Sequence, residues 1–134
     1  MAEWHPTNGR HILLDVWGVE AETLNDLDSM QEAMLGAAAA AGARVVDSTF
    51  HRFPVQGLSG VVVLAESHIS VHTFPEHGYA AFDIFTCGQR VDPERACEYL
   101  VRCVNAEDSF IRRFVRGVQG GIADQSSDLR AVAP

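Results

Sequence analysis

Only two stretches of this chain carry a helical period, and they are set among six runs that alternate or bunch apolar residues as strands do. The first helical stretch, 23–41, repeats Leu24, Leu27, Met30, Met34, Ala38 and Ala41 at three- and four-residue steps. Thr23 with Asp26 suggests a capping box, and Gly42 stands where a left-handed C-terminal residue belongs. The second begins with Asp92 as cap and Pro93 in its first turn, and traces Ala96, Tyr99, Leu100, Cys103 and Val104 along one stripe, which places Cys103 in the core. Strands are expected at 11–19, 43–53, 59–66, 67–74, 79–86 and 109–118, with turns at 54–58 and 75–78 and a loose tail from Gly120. The order is β-α-β-β-β-β-α-β. Two helices cannot cover both faces of a six-stranded layer, so the expected fold is α+β: a two-layer sandwich of mainly antiparallel sheet with both helices on one face.

The uncovered face then meets water or a partner. Alternation puts Tyr79, Asp83, Phe85 and Cys87 on one side of their strand and Ala80, Phe82, Ile84 and Thr86 on the other. Aromatic and reactive groups on the side without helices point to an interface or a site.

With 134 residues the chain fits one domain, and 47% hydrophobic residues suit a packed core rather than a disordered segment. Eighteen acidic residues against ten basic ones leave a net charge of −8, which disfavours nucleic acid and favours a small cation as partner. All ten basic residues are arginine. Without a lysine, the chain can neither anchor pyridoxal phosphate nor supply a P-loop lysine. Any carbanion chemistry on an amine needs another electron sink. The N-terminus lacks the apolar stretch of a secretory signal, no run is long enough to span a membrane, and three cysteines at these spacings read as free thiols in a reducing cytoplasm.

The segment 66–88, ESHISVHTFPEHGYAAFDIFTCG, packs three histidines, two serines, a cysteine and three carboxylates into sheet-like sequence. Polar side chains are scarce in strand interiors unless satisfied or functional. Singly, each has an ordinary structural explanation. A metal site from His51, His68, His72, His77 and Cys87 has neither helical ligand spacing nor a Cys-x-x-Cys pair, so no metal is expected.

Taken whole, this string resembles the signature of prokaryotic-type S-adenosylmethionine decarboxylases, as do GRHILLDVWG (9–18), DSTFHRF (47–53) and GLSGVVVLAESH (57–68). The resemblance implies a single-domain proenzyme, residues 1–134, that cleaves itself between Glu66 and Ser67 into chains 1–66 and 67–134. Ser67 becomes a pyruvoyl group, the covalent cofactor, whose ketone condenses with the substrate amine and takes up the electrons left by carbon dioxide. It further implies that His72 is the base of self-cleavage, that Ser59 assists it, and that Cys87 returns the proton to the substrate. A thiol with an ordinary pKa of ~8.5 and an imidazole suit those tasks near neutrality. By position, Phe53 and Phe74 would sandwich adenine and Glu76 would receive the ribose hydroxyls, although Phe74 replaces a tryptophan and His77 a tyrosine common in the family. The implied product feeds spermidine synthesis. Arginine or ornithine as substrate, or a non-catalytic binding module, remain the alternatives.

Ser67 and His72 lie five apart, so an unbroken strand turns them to opposite faces. Either the strand is bulged or begins at Ser67, or His72 serves the Ser67 of a second protomer. The family's dimeric architecture is consistent with the latter, with Ser67 and Cys87 from one protomer and Ser59 and His72 from the other.

Overall fold

A computed structural model describes residues 4–126. One seven-stranded sheet, antiparallel throughout, carries the fold: β1 (Gly9–Trp17), β2 (Val45–Arg52), β3 (Leu58–Leu64), β4 (Ser67–Phe74), β5 (Tyr79–Cys87), β6 (Asp108–Val118) and β7 (Gly121–Asp124). Their spatial order is β2-β3-β4-β5-β1-β6-β7, so the first strand to be read off the chain is inserted between β5 and β6. Short turns account for β2 through β5, where each strand pairs with the next. A single one-turn 3₁₀ segment, Pro75–His77, closes the β4–β5 hairpin, with Gly78 following at φ 63°.

Three helices, α1 (Ala21–Asn25), α2 (Leu27–Ala41) and α3 (Pro93–Cys103), cover one face of this sheet. α2 lies over β2 and β3, α3 over β1 and β5, and the two helices pack side by side. Beneath them the inward positions of the strands, among them Leu14, Val62, Ile69, Val71, Phe82 and Ile84, are almost wholly buried. Where α2 meets α3, a Cβ on Gly36 would overlap the Tyr99 ring, so glycine is what lets the helices approach. Ala37, Ala38 and Ala41 extend that small-residue contact into the core.

Three expectations from the sequence are corrected. The helix expected over 23–41 is two helices. Asp26 adopts an extended conformation and its carboxylate accepts hydrogen bonds from the Ser29 backbone N–H and hydroxyl, so it caps α2 itself instead of completing a box with Thr23. The apolar period crosses the break because Leu24 and Met30 reach the same core from either side. Cys103 is exposed, and Cys97 takes the buried position. On α3 the face toward the sheet comprises Ala96, Cys97, Leu100, Val101 and Val104, which leaves Tyr99 and Cys103 on its flank. The tail is not loose at its start, because Gly121–Asp124 returns along β6 as β7. The end of α2 does match expectation: Gly42 at φ 78° donates its N–H back to the last turn.

Phe82 is the largest fully buried side chain among the described residues and stands in β5, the strand beneath α3. Replacing it with alanine should cost about 3–5 kcal/mol in chemical denaturation with the fold retained at low denaturant. A loss under about 1 kcal/mol would mean the core is not organised around this sheet face.

Candidate active site

The face turned away from the helices is lined by alternate residues of every strand. It carries exposed Leu13, Trp17 and Val63 beside half-buried Phe53, Phe74, Phe85 and Tyr79, an apolar and aromatic surface interrupted by histidines and acids. Two groups of chemically active residues stand at opposite ends of β4.

The first group surrounds the peptide between Glu66 and Ser67. Ala65 and Glu66 form the two-residue turn between β3 and β4, and Leu64 pairs with Ser67 across it. Ser67 has φ 142°, a region that side-chain-bearing residues seldom enter and that costs about 1–3 kcal/mol. By strand alternation its side chain would point toward the helices, on the side of its cross-strand partner Thr86. The unusual φ instead brings its hydroxyl within 3.2 Å of the Cys87 thiol. The Glu66 carbonyl oxygen accepts the Cys87 backbone N–H at 2.7 Å, so Cys87 addresses this peptide with both its backbone and its side chain.

Two arginines hold the Glu66 side chain. Arg44 approaches its carboxylate with backbone N–H and Nε, each at 3.2 Å, and the Arg90 guanidinium forms a close ion pair with it. Arg90 also donates to the carbonyl of Gly42, tying the turn to the end of α2. Burial alone would raise the Glu66 pKa, but the Arg44 N–H and the two guanidinium groups outweigh it and hold the carboxyl below its ordinary value of 4.5. Next along β4, burial and the nearby His11 hold the His68 imidazole below its ordinary pKa, with Asp83 opposing. His68 faces the Phe85 ring, and Phe85 in turn meets His11 and the Arg116 guanidinium.

The second group lies at the far end. Ser59 and His72 are direct partners across β3 and β4, and the Ser59 hydroxyl donates to the Val71 carbonyl at 3.2 Å. The exposed His72 ring stands between Phe53 and Phe74, with centroids 5.5 and 4.7 Å away. From Phe74 the aromatic row continues to Tyr79 and Trp17. Burial, with the Asp15 carboxylate accepting from the phenol, pushes Tyr79 up to about 12. Glu76 is exposed on the 3₁₀ turn beside this row. Five residues at about 3.3 Å each separate His72 from Ser67 by roughly 16 Å along one strand. The structure therefore brings together Ser67, Cys87 and Glu66, and separately Ser59, His72, Phe53 and Phe74, without joining the two sets in one chain.

A family model described as S-adenosylmethionine decarboxylase matches residues 10–117, a span that contains both groups. The chain belongs to this family. It is 50% identical over 110 residues to an S-adenosylmethionine decarboxylase proenzyme of Moorella thermoacetica, covering 82% of this chain and 88% of that one. It is 43% identical over 112 residues to proenzyme 2 of Halalkalibacterium halodurans, covering 84% and 88%. The crystal structure of the adenosylmethionine decarboxylase from Aquifex aeolicus superposes with a TM-score of 0.74 at 36% identity, covering 92% of this chain and 99% of that one. The crystal structure of a Trypanosoma brucei AdoMetDC-delta26 monomer, at 9% identity and a TM-score of 0.57, has the same fold over 78% of this chain and 45% of that one. The chain is thus an α+β enzyme of the S-adenosylmethionine decarboxylase family.

Sequence reasoning missed Arg44, Arg90 and the Cys87 N–H. The arginines reach Glu66 from 22 and 24 residues away, and no local pattern marks such pairs. The backbone donor is visible only once β5 lies beside the β3–β4 turn.

Two outcomes follow from this geometry. In an uncleaved Ser67→Gly chain the positive φ is relieved, so it should be more stable than Ser67→Ala by about 1 kcal/mol in urea denaturation. Equal stability would show that position 67 is unstrained. Because the folded Glu66 pKa is depressed, its contribution is complete above the unfolded value and is lost as pH falls through the folded one. In a Ser67→Ala background, acidification below about pH 4.5 should therefore destabilise the chain more than it destabilises the corresponding Glu66→Gln variant. Parallel stability–pH curves would remove Glu66 from the turn's electrostatics.

Proposed function

We propose that this chain is a proenzyme that severs its own Glu66–Ser67 bond into chains 1–66 and 67–134, converts Ser67 to a pyruvoyl group, and then decarboxylates S-adenosylmethionine. The observation that carries the reading is the Glu66–Ser67 peptide itself, with a strained serine after a tight turn, its carbonyl bonded to the Cys87 N–H and its hydroxyl against the Cys87 thiol.

Each contact favours a stated step. The Ser67 hydroxyl is the nucleophile for the Glu66 carbonyl, and attack would place negative charge on the oxygen that the Cys87 N–H already contacts. Leaving the positive-φ conformation would release strain as the peptide becomes an ester. Removal of the Ser67 α-proton then expels Glu66 as a carboxylate, a leaving group whose side chain Arg44 and Arg90 hold. His72 is the base for that removal. Ser67 itself would become the pyruvoyl group, and the Cys87 thiol, 3.2 Å from the Ser67 hydroxyl, would stand beside it. Once formed, that group supplies an electron sink for the carboxylate that leaves as carbon dioxide. Cys87 holds the proton that returns to the substrate α-carbon.

His72 lies roughly 16 Å from Ser67 in its own chain, so we infer that it acts on the Ser67 of a second copy. The apolar, aromatic open face is the surface through which two copies would pair, bringing Ser59 and His72 of one to Ser67 and Cys87 of the other. Phe53, Phe74 and Glu76 would then serve adenine and ribose at the shared site, and the net charge of −8 suits a sulfonium substrate. Three unbridged thiols fit a cytoplasmic enzyme, and the product would donate aminopropyl groups to spermidine.

Ser67→Ala and His72→Ala chains should each stay uncleaved alone, while their co-expression restores cleavage of the His72→Ala polypeptide. No cleavage in the mixture would end the shared-site arrangement. In purified two-chain enzyme, carbon dioxide should be released from S-adenosylmethionine and not from arginine or ornithine. Release from the amino acids alone would reassign the substrate. Cys87→Ala should lower turnover at least about 100-fold in any chain that still cleaves.

A further inference from the structure

A row of backbone partners, Leu64, Ser67, Thr86, Arg10 and Val115, crosses β3, β4, β5, β1 and β6 on the helix-covered side. Thr86 sits in this row between Ser67 and Arg10 and is 1% exposed. Because Ser67 turns its side chain to the open face, it offers Thr86 nothing to bond. The Thr86 hydroxyl is buried without a hydrogen-bond partner, and so is Nε of Arg10 beside it. The Asn8 amide oxygen, two residues before Arg10, is a third. Among the described residues five buried side-chain polar atoms lack a partner, and three of them belong to this one end of the sheet.

Leaving such groups unpaired inside the protein is costly, so each calls for a partner. Their polarities are complementary: a guanidinium N–H gives, an amide oxygen accepts and a hydroxyl does both. The Thr86 hydroxyl and Arg10 Nε do not bond each other, and one water between them would satisfy both. Position 67 needs a water. If the chain self-processes as proposed above, loss of Glu66 leaves dehydroalanine, which tautomerises to an imine with a methyl group. Water oxygen must then bond to its α-carbon while a water proton goes to nitrogen. Collapse of that adduct breaks the carbon–nitrogen bond, releases ammonia and leaves the ketone. No oxidant or reductant takes part.

We propose that Thr86 and Arg10 hold this water behind position 67, on the side opposite Cys87. The permanently charged Arg10 donates its Nε–H to the water oxygen, and the Thr86 hydroxyl accepts one of its hydrogens. The remaining lone pair is left for the α-carbon of residue 67, which pairs with Thr86 across β4 and β5. Thr86 is thus a positioning residue for maturation, with no part in bond cleavage.

The test compares Thr86→Val, near in shape but without the hydroxyl, with Thr86→Ser, which keeps it. Each is made by cell-free synthesis and quenched at intervals with borohydride. Reduction turns an imine at position 67 into alanine, which N-terminal sequencing reads ahead of His68, whereas a reduced ketone is a lactyl cap that blocks sequencing. Thr86→Val should cleave within twofold of the unaltered rate but form the blocked end at least tenfold more slowly, with alanine read in the interval. Thr86→Ser should match the unaltered chain. Blocked ends that keep pace with cleavage in Thr86→Val would overturn the proposal. So would failure of Thr86→Val to cleave at all, which would assign the hydroxyl to bond rupture, and so would equal failure of both variants, which would assign the side chain to packing. Failure of the unaltered chain to cleave would instead refute the self-processing reading.

Discussion

The backbone N–H of Cys87 donates to the carbonyl of Glu66 at 2.7 Å, and this bond organises the reactive end of the molecule. It fastens the turn between β3 and β4 to the last residue of β5. With the carbonyl held there, the chain re-enters the sheet at Ser67 through a φ of 142°, and the side chain swings from the helix side to the open side. The same residue that polarises the carbonyl then presents its thiol to the serine hydroxyl. Arg44 and Arg90 reinforce the turn from the helix side through the Glu66 carboxylate, so a strained peptide persists because its surroundings over-determine it.

That arrangement is possible because the sheet is covered on one face only. Helices α2 and α3 bury the inward side chains of β1, β3, β4 and β5, which makes the backbone platform stiff. The other face is free to carry histidines, acids and aromatic rings that a packed core would exclude. Its two reactive groups are spread along β4 by the rise of an extended strand, and a rigid strand cannot fold them onto one another. On the function proposed above, chemistry that requires both groups calls for two copies sharing their open faces.

Much of the fold was legible because alternation and helical period are local signals. β4 matches its expected limits, and the buried and open faces of β5 follow its alternation residue by residue. The errors share a cause. Leu24 and Leu27 fit one helical stripe, yet Asp26 finds a better partner in Ser29 than in a continuing helix, a competition between backbone and side chain that periodicity does not register. Cys103 fits the stripe of α3 as well as Cys97 does, and only the way α3 sits on the sheet separates them. β7 has too few residues to show alternation, and its existence depends on β6 being there to pair with.

By itself the sequence determined the residue types available for chemistry: serine, histidine and cysteine in one block, arginine as the only strong cation, and no lysine. It also determined which side chains share a face along most of each strand, since an extended chain alternates with period two, Ser67 being the position where the surroundings override it. The tertiary structure alone decided which of those residues meet. Insertion of β1 between β5 and β6 placed Arg10 beside Thr86, and the closing of β5 on the β3–β4 turn set Cys87 against Glu66 and Ser67. Such contacts join positions 20 to 76 residues apart, and their formation depends on the whole sheet having assembled, which no local segment encodes.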